Sequence, residues 1–389
     1  MDKTVEVKEY DVIIIGAGPA GSSCALMLKE SGLKVALLDK ATFPRDKVCG
    51  DAIPGLAIKT LKSISPDFVQ SFKSFDAKLK IDKTALHHKK GSIEVNWSGE
   101  AYTSPRISFD NFLFSLVKEN TSTDVYLNAM PSAIEVNDDG VLVTEKKTGL
   151  HFKAKIIVGA DGAQSIVAKQ LASRTIDRNH YIGSVRAYYH NVSSTQNNLT
   201  EIYLNKKIFP GYLWIFPLPD NKANVGLGVL SSTISKRKLN LKKSFYEIIA
   251  EDPQLIPRFK DATQIGELEG FGLPLGSRRV QVSGNRFILA GDAASLIDPV
   301  SGDGIGNAVY SGKVAGEQII KCFKASDFSP TFLQQYDDEL FKLLGPVLKL
   351  RFKLQRSILQ IPIVIEVFFW LIKNKRIKKI VEKLILKVS

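Results

Sequence analysis

Cysteine is scarce in this chain of 389 residues: Cys24, Cys49 and Cys322 are odd in number and far apart. That spacing excludes a disulfide framework and a cysteine-rich zinc site, and it fits a reducing compartment. Long apolar runs are missing too. No stretch reaches the roughly 18 to 20 residues that a membrane-spanning helix needs. The opening MDKTVEVKEY is charged from its second residue, and the VIII behind it is too short for a signal peptide, so no leader is expected. Acidic side chains are in deficit, 40 against 53 basic ones, for a formal charge of +13. Histidine is sparse and lies in no motif, so no catalytic or metal role falls to it. No internal repeat and no low-complexity segment appears. What remains is an ordinary globular composition, 44% hydrophobic and 24% charged, at a length that predicts two or three domains.

A charge of +13 suits an anionic partner, either nucleic acid or an acidic membrane surface. No nucleic-acid module is visible. The basic residues gather at the end, where Lys342, Lys349, Arg351, Lys353, Arg356, Lys373, Lys375, Arg376, Lys378, Lys379, Lys383 and Lys387 face only Glu366 and Glu382. Between them runs SILQIPIVIEVFFWLI, broken by Pro362 and Glu366. Apolar plus basic is the pattern of a helix lying in a membrane interface. The alternative is a helical cap packed on the core with a solvated lysine face.

DVIIIGAGPAGSSCALMLKESGLKVALLDK places Gly16, Gly18 and Gly21 between a buried-strand run and a helical stretch. The first glycine permits a tight turn, the second lets the backbone approach a pyrophosphate, and the third lets helix and strand pack closely. The helix N-terminus adds amide groups and a positive dipole end. A second strand ends at Asp39, whose carboxylate is placed to accept ribose hydroxyls. Strand, turn, helix and acid together predict a dinucleotide site.

RFILAGDAASLIDPVSGDGIGNAVYSG then decides which dinucleotide. A strand ends in Gly291-Asp292, and a second glycine turn, Gly302 to Gly306, runs into a helix. NAD-binding domains have no use for such a return, whereas the ribityl chain and isoalloxazine of FAD extend well past the first site. Asp292 is placed for a ribityl hydroxyl. The helix from Gly304 and Ile305 points its positive end at the pyrimidine edge, where reduced flavin carries negative charge. A third strand, turn and helix, KAKIIVGADGAQSIVAKQL, carries Asp161-Gly162 at its turn.

These three signatures, in this order, resemble the flavoprotein group that includes para-hydroxybenzoate hydroxylase and the geranylgeranyl reductases. The resemblance spans residues 10 to about 315. It implies an α/β fold: a Rossmann-type, discontinuous FAD-binding domain, with an antiparallel-sheet substrate domain inserted over the flavin and a helical C-terminal region. The expected division is 1–74, 101–176 and 281–330 for FAD, 75–100 and 177–280 for substrate, and 331–389 for the basic, apolar, membrane-proximal end. Strands are expected at AKLKID, TALHH, SIEVNW, SVRAYYHNV, LTEIYL, YLWIFP and ANVGLGVL, and one helix over KRKLNLKKSFYEIIAEDP.

Two local features choose within that group. KVCGDAIPG sets Lys47, Val48, Cys49 and Gly50 before a helix. GYLWIFPLPDNKANVGLGV fits Y-x-W-x-F-P, eight residues, then G-x-G, with Tyr212, Trp214, Phe216, Pro217, Gly226 and Gly228 at every position. Both look like the geranylgeranyl reductase family, which saturates isoprenoid double bonds. Carried over by motif, its FAD contacts fall on Gly21, Asp39, Cys49, Gly50, Ala52, Arg106, Ala129, Asp292, Gly304 and Ile305. Arg106 also has its own case, because a guanidinium clamps phosphate bidentately. Its bland alternative is an ion pair with Asp110, one helical turn on.

The resemblance implies a polyprenyl lipid or quinone-type substrate in an apolar slot with few polar groups. Tyr212, Trp214 and Phe216 would wall it. Gly226 and Gly228 would leave the hollow, or bring backbone close to the isoalloxazine. Cys49, Tyr212 and Trp214 are the candidate catalytic residues. An isolated alkene needs a proton on one carbon and a hydride on the other, with positive charge developing between them. No second nucleotide unit is present, and the resemblance implies NAD(P)H bound transiently on the FAD domain, or ferredoxin, as electron donor. A monomer is expected, cytoplasmic and peripheral on the inner face of the membrane, with no metal. The rival readings are a flavin monooxygenase, a halogenase, and a lipid carrier with structural flavin.

Overall fold

The computed structural model describes residues 6–357, 361–371, 374 and 377. The expected lysines and arginines at 373, 375, 376, 378, 379, 383 and 387, with Glu382, lie outside the described residues.

Three sheets organise the chain. The first has six strands, in the order Ser283–Gly284, Phe287–Leu289, Ile156–Gly159, Val12–Ile15, Val35–Leu38 and Asp124–Tyr126. All its pairings are parallel except the one at the Ser283–Gly284 edge. Helices cover both faces of such a sheet, so its strands read as unbroken apolar runs, as VIII and VALL do here. Helix Pro19–Met27 packs on the long helix Ile305–Ala325 at very short range. A Cβ at Gly312 would come within 2.0 Å of the Ala20 carbonyl oxygen.

The second sheet was not foreseen. Strands Pro131–Asn137, Gly140–Glu145 and His151–Ala154 form a meander, and Val7–Glu9 adds in parallel at its edge.

The third sheet has eight strands, in the order Thr263–Pro274, Tyr181–His190, Lys222–Leu230, Tyr212–Leu218, Leu199–Tyr203, Leu79–His88, Gly91–Thr103 and Ala52–Ile53. AKLKID and TALHH form one strand with a register shift at Ile81/Lys83, and the next strand runs on to Thr103. The edge strand Thr263–Pro274 escaped sequence reading because Gly266, Gly270 and Gly272 interrupt its pattern, and Gly266 sits at φ +68°. One face buries Val185, Leu213, Ile215, Val225, Leu227 and Val229 against Phe245 and Ile248 of helix Leu241–Glu251. The expected single helix after this sheet is two. Lys238, at φ +51°, ends Ser231–Arg237, and the Asn240 side chain accepts from the Lys243 amide to start the next.

Two helices close the chain described here. In Pro330–Ser357, the Tyr336 hydroxyl donates to the Leu289 carbonyl at 2.7 Å, which fixes the helix to the first sheet. Helix Pro362–Leu371 docks on the third sheet through Ile365 and Phe369 against Ile93, and Glu366 meets Lys89 at 2.8 Å and Lys90 at 3.0 Å. Leu343, Val347 and Leu350 on one helix, and Ile363, Val367 and Trp370 on the other, stay exposed. Among the described residues no single helix is long and apolar enough to cross a membrane. These two, bent 100° to each other, pass together by length and composition alone.

Candidate active site

Gly16 ends the central strand at φ +99°, where a Cβ would lie 2.4 Å from the Ala160 carbonyl oxygen. Gly21 is as constrained: its Cβ would sit 1.7 Å from the Gly16 carbonyl oxygen. Gly18 caps helix Pro19–Met27 with no side-chain cap, and Arg45 lies beside it, its Nη2 3.3 Å from where a Cβ would sit, so the helix start has no side-chain acceptor and a cation at hand. The Asp39 carboxylate accepts from the Ala17 amide at 2.8 Å and the Ala41 amide at 2.9 Å, beside Ala129, whose amide donates to the Asp39 carbonyl at 2.9 Å.

Arg106 is buried and holds Asp110 with two of its nitrogens, Nε donating to Oδ1 at 2.6 Å and Nη2 to Oδ2 at 2.7 Å, and it also has the Cys49 side chain as a partner. The helix builds this ion pair because a buried guanidinium needs a counter-charge within reach, and Asp110 supplies it at i+4. Arg45 adds a second cation to Asp110 at 2.9 Å. The buried Ser104 hydroxyl, two residues before Arg106, has no hydrogen-bond partner among the described residues. Asp161 turns its carboxylate to the next helix, where Oδ2 accepts from the Ile166 amide at 2.7 Å.

The second glycine turn is a tied loop. Asp298, buried, accepts from the Val300 and Ser301 amides at 2.9 Å each and from Arg351 Nη1 at 2.6 Å. Burial and the neighbouring Asp298 push the Asp303 carboxyl up to about 7. Gly304 then caps the helix that Ile305 begins. Asp292 pairs with Lys47 at 2.7 Å, which links this loop to the Cys49 segment.

The hairpin register sets Tyr212 opposite Gly228, Trp214 opposite Gly226 and Phe216 opposite Asn224, all on the face away from the helices. The glycines do not leave an empty hollow. A Cβ at Gly226 would fall 2.2 Å from Trp214 Cζ2, because the indole lies flat across the neighbouring strand. Phe216 and the indole nitrogen flank Gly50, where a Cβ would be 3.3 Å from Phe216 Cε2. The Tyr212 hydroxyl donates to the Ser301 carbonyl. The aromatic face therefore bridges the Cys49–Gly50 segment and the second glycine turn.

Nor is that face wholly apolar. Across the sheet Glu269, Arg186, Gly226 and Trp214 fall in one row, and Arg186 is buried with its Nη2 2.9 Å from Asp46. The next row carries Tyr188 and Asn224, both bonded to the buried Asp51. Burial pushes the Asp51 carboxyl up to about 7, against the pull of Asn224, Arg186 and Tyr188. Burial also raises the Cys49 thiol, with the Arg106 charge opposing it. Sequence reading missed Asp51, Arg186, Tyr188 and Asn224. Asn224 lies two before Gly226 and Asp51 two after Cys49, so period-two spacing was the available signal.

A glycine turn into an uncapped helix start with Arg45 beside it, an acid closing the second strand, an unpartnered buried hydroxyl and a second glycine turn into a helix together fit FAD. The chain is thus an FAD-dependent oxidoreductase: the family model described as FAD binding domain matches residues 9–340. The chain is 30% identical to a digeranylgeranylglycerophospholipid reductase of Methanococcus aeolicus over 90% of this chain and 87% of that one. It is 30% identical to a menaquinone reductase of Mycobacterium tuberculosis, covering 79% and 76%. Among solved structures it resembles a geranylgeranyl bacteriochlorophyll reductase-like protein of Thermoplasma acidophilum, with a TM-score of 0.79, 25% identity, and coverage of 91% and 88%. The chain belongs to the geranylgeranyl reductase family.

Proposed function

We propose that this protein saturates C=C double bonds of a polyprenyl chain carried by a lipid or a quinone. The observation that carries the reading is the face of Tyr212, Trp214 and Phe216, held between the Cys49–Gly50 segment and the Ser301–Gly302 turn. An uncharged isoprenoid gains affinity from burial against such rings and has no head-to-tail charge to pair.

Gly16, Gly18, Gly21, Asp39, Arg106 and Ala129 hold the adenosine and pyrophosphate end of FAD in this reading. Cys49, Gly50, Ala52, Asp161, Asp292, Gly304 and Ile305 hold its ring end. Bound and reduced, FAD supplies the hydride. The chain's own part is to orient the alkene, exclude water, and offer aromatic faces to the carbon on which positive charge develops. Cys49, kept as a thiol at neutral pH by its burial, is the candidate proton source. NAD(P)H or ferredoxin brings the electrons. The division into an FAD unit, an inserted substrate unit and a helical end remains part of this reading. So does a cytoplasmic monomer resting on the inner face of an anionic membrane, supported by the exposed Val347, Leu350 and Trp370 among basic neighbours.

The test is anaerobic incubation of dithionite-reduced holoenzyme with a geranylgeranyl lipid, followed by mass spectrometry. A gain of two mass units per bond is expected for each hydride and proton added. An oxygenated product in air, with no mass gain without it, would overturn the assignment.

A further inference from the structure

The amide of Asn224 is fully buried and makes three hydrogen bonds. Its Oδ1 accepts from Trp214 Nε1 at 2.7 Å. Its Nδ2 donates to the Cys49 carbonyl at 2.7 Å and to Asp51 Oδ2 at 2.8 Å. No other orientation serves. A flipped amide would set its NH2 against the indole N–H and its oxygen against two acceptors. Asp51 is held in turn from three sides: by Asn224, by the Tyr188 hydroxyl at 2.9 Å, and by the Arg106 amide at 3.3 Å. Asp51 also keeps a left-handed backbone, φ +65°, a conformation that aspartate tolerates better than most residues with a side chain.

Trp214 has little freedom of its own. It occupies the space that Gly226 leaves, and its single polar atom goes to Asn224. The position of the indole is therefore tied to the segment from Cys49 to Asp51, through one side chain.

We propose that Asn224 is a positioning residue of the reductase, which locks the Trp214 indole to the Cys49–Asp51 segment so that substrate wall and cofactor segment keep one geometry. The proposal rests on the reading that this wall receives the prenyl chain. A positioning residue acts through orientation, and an error of about 1 Å costs up to about 100-fold in rate.

The test uses holoenzyme in a Trp97→Phe, Trp370→Phe background, where Trp214 is the remaining tryptophan. Asn224→Asp keeps the acceptor for the indole and removes both donors, setting a carboxylate against Asp51. FAD is expected to stay bound, the Trp214 emission maximum to move to longer wavelength, and kcat to fall about 10- to 100-fold. Adding Asp51→Asn restores a donor facing position 224 at unchanged net charge. That double variant is expected to bring the emission maximum back and to recover kcat at least about threefold over the single one. Emission and kcat unchanged in Asn224→Asp, or a double variant no better than the single by either measure, overturns the proposal. Parent enzyme that reduces no prenyl chain sinks the proposed function instead, and the emission series alone then decides whether Asn224 sets the indole.

Discussion

Arg351 lies 2.6 Å from Asp298, so a helix near the end of the chain holds the glycine turn that leads into Gly304. Gln355 adds a second link one turn on, donating to the Pro299 carbonyl at 2.6 Å. The sequence alone places Arg351 among the basic residues that gather from position 342 onward. The fold instead uses it to neutralise a buried carboxylate, and a hydrogen bond of that kind contributes about 1.5 to 3 kcal/mol. Arg351→Ala is expected to lower unfolding free energy by about that amount and to weaken FAD retention. Denaturant titration and flavin content after dialysis measure the two effects.

Gly226 gives a sharper test of the wall. In Gly226→Ala the added methyl meets Trp214 Cζ2 at 2.2 Å and the Val185 carbonyl at 2.6 Å. The indole has to move, at a cost of about 1 to 3 kcal/mol. Turnover of a prenyl lipid is expected to fall about tenfold or more while FAD remains bound. Steady-state kinetics on flavin-replete protein would refute this if kcat/KM held.

Cys49→Ala separates binding from chemistry. The thiol is half-buried and raised by that burial, with the Arg106 guanidinium as its side-chain neighbour, while the tie to Asn224 runs through the main chain, where the Cys49 carbonyl accepts. Flavin content is expected to be unchanged and most turnover to be lost. Full turnover removes Cys49 from the chemistry.

Acid pH should stabilise part of this seam. The Asp51 carboxyl sits at about 7 in the folded chain and near 3.8 when unfolded. Between those values the folded protein keeps a proton that the unfolded chain has lost. The contribution is therefore full below about pH 4 and fades as pH rises through about 7. Asp303 shifts in the same direction, also to about 7. The denaturation midpoint is expected to fall over that window, and Asp51→Asn to flatten the slope. A slope identical in the variant would exclude Asp51 as its source.

The exposed apolar residues of helices Pro330–Ser357 and Pro362–Leu371 predict sedimentation with vesicles of anionic phospholipid. Leu350→Glu with Trp370→Glu should reduce the bound fraction several-fold, and added salt should weaken the remainder. Equal binding to neutral vesicles would remove the electrostatic part of the reading.

The parallel sheet, the glycine cradle at Gly16, Gly18 and Gly21, and the helix from Ile305 were legible in the chain because each depends on local spacing. Apolar runs buried on both faces, turns that only glycine can make and helix starts are written within about thirty consecutive residues. So was the aromatic alternation at Tyr212, Trp214 and Phe216, since a strand repeats every second residue. Register was not legible, because it depends on partners far along the chain. Only the assembled sheet set Trp214 opposite Gly226 and brought Asn224 to Cys49 and Asp51, 175 and 173 residues away. The same holds for Arg106, whose charge was readable and whose partner was settled by burial, and for Arg351, which the fold turned from a surface cation into the brace of the second glycine turn.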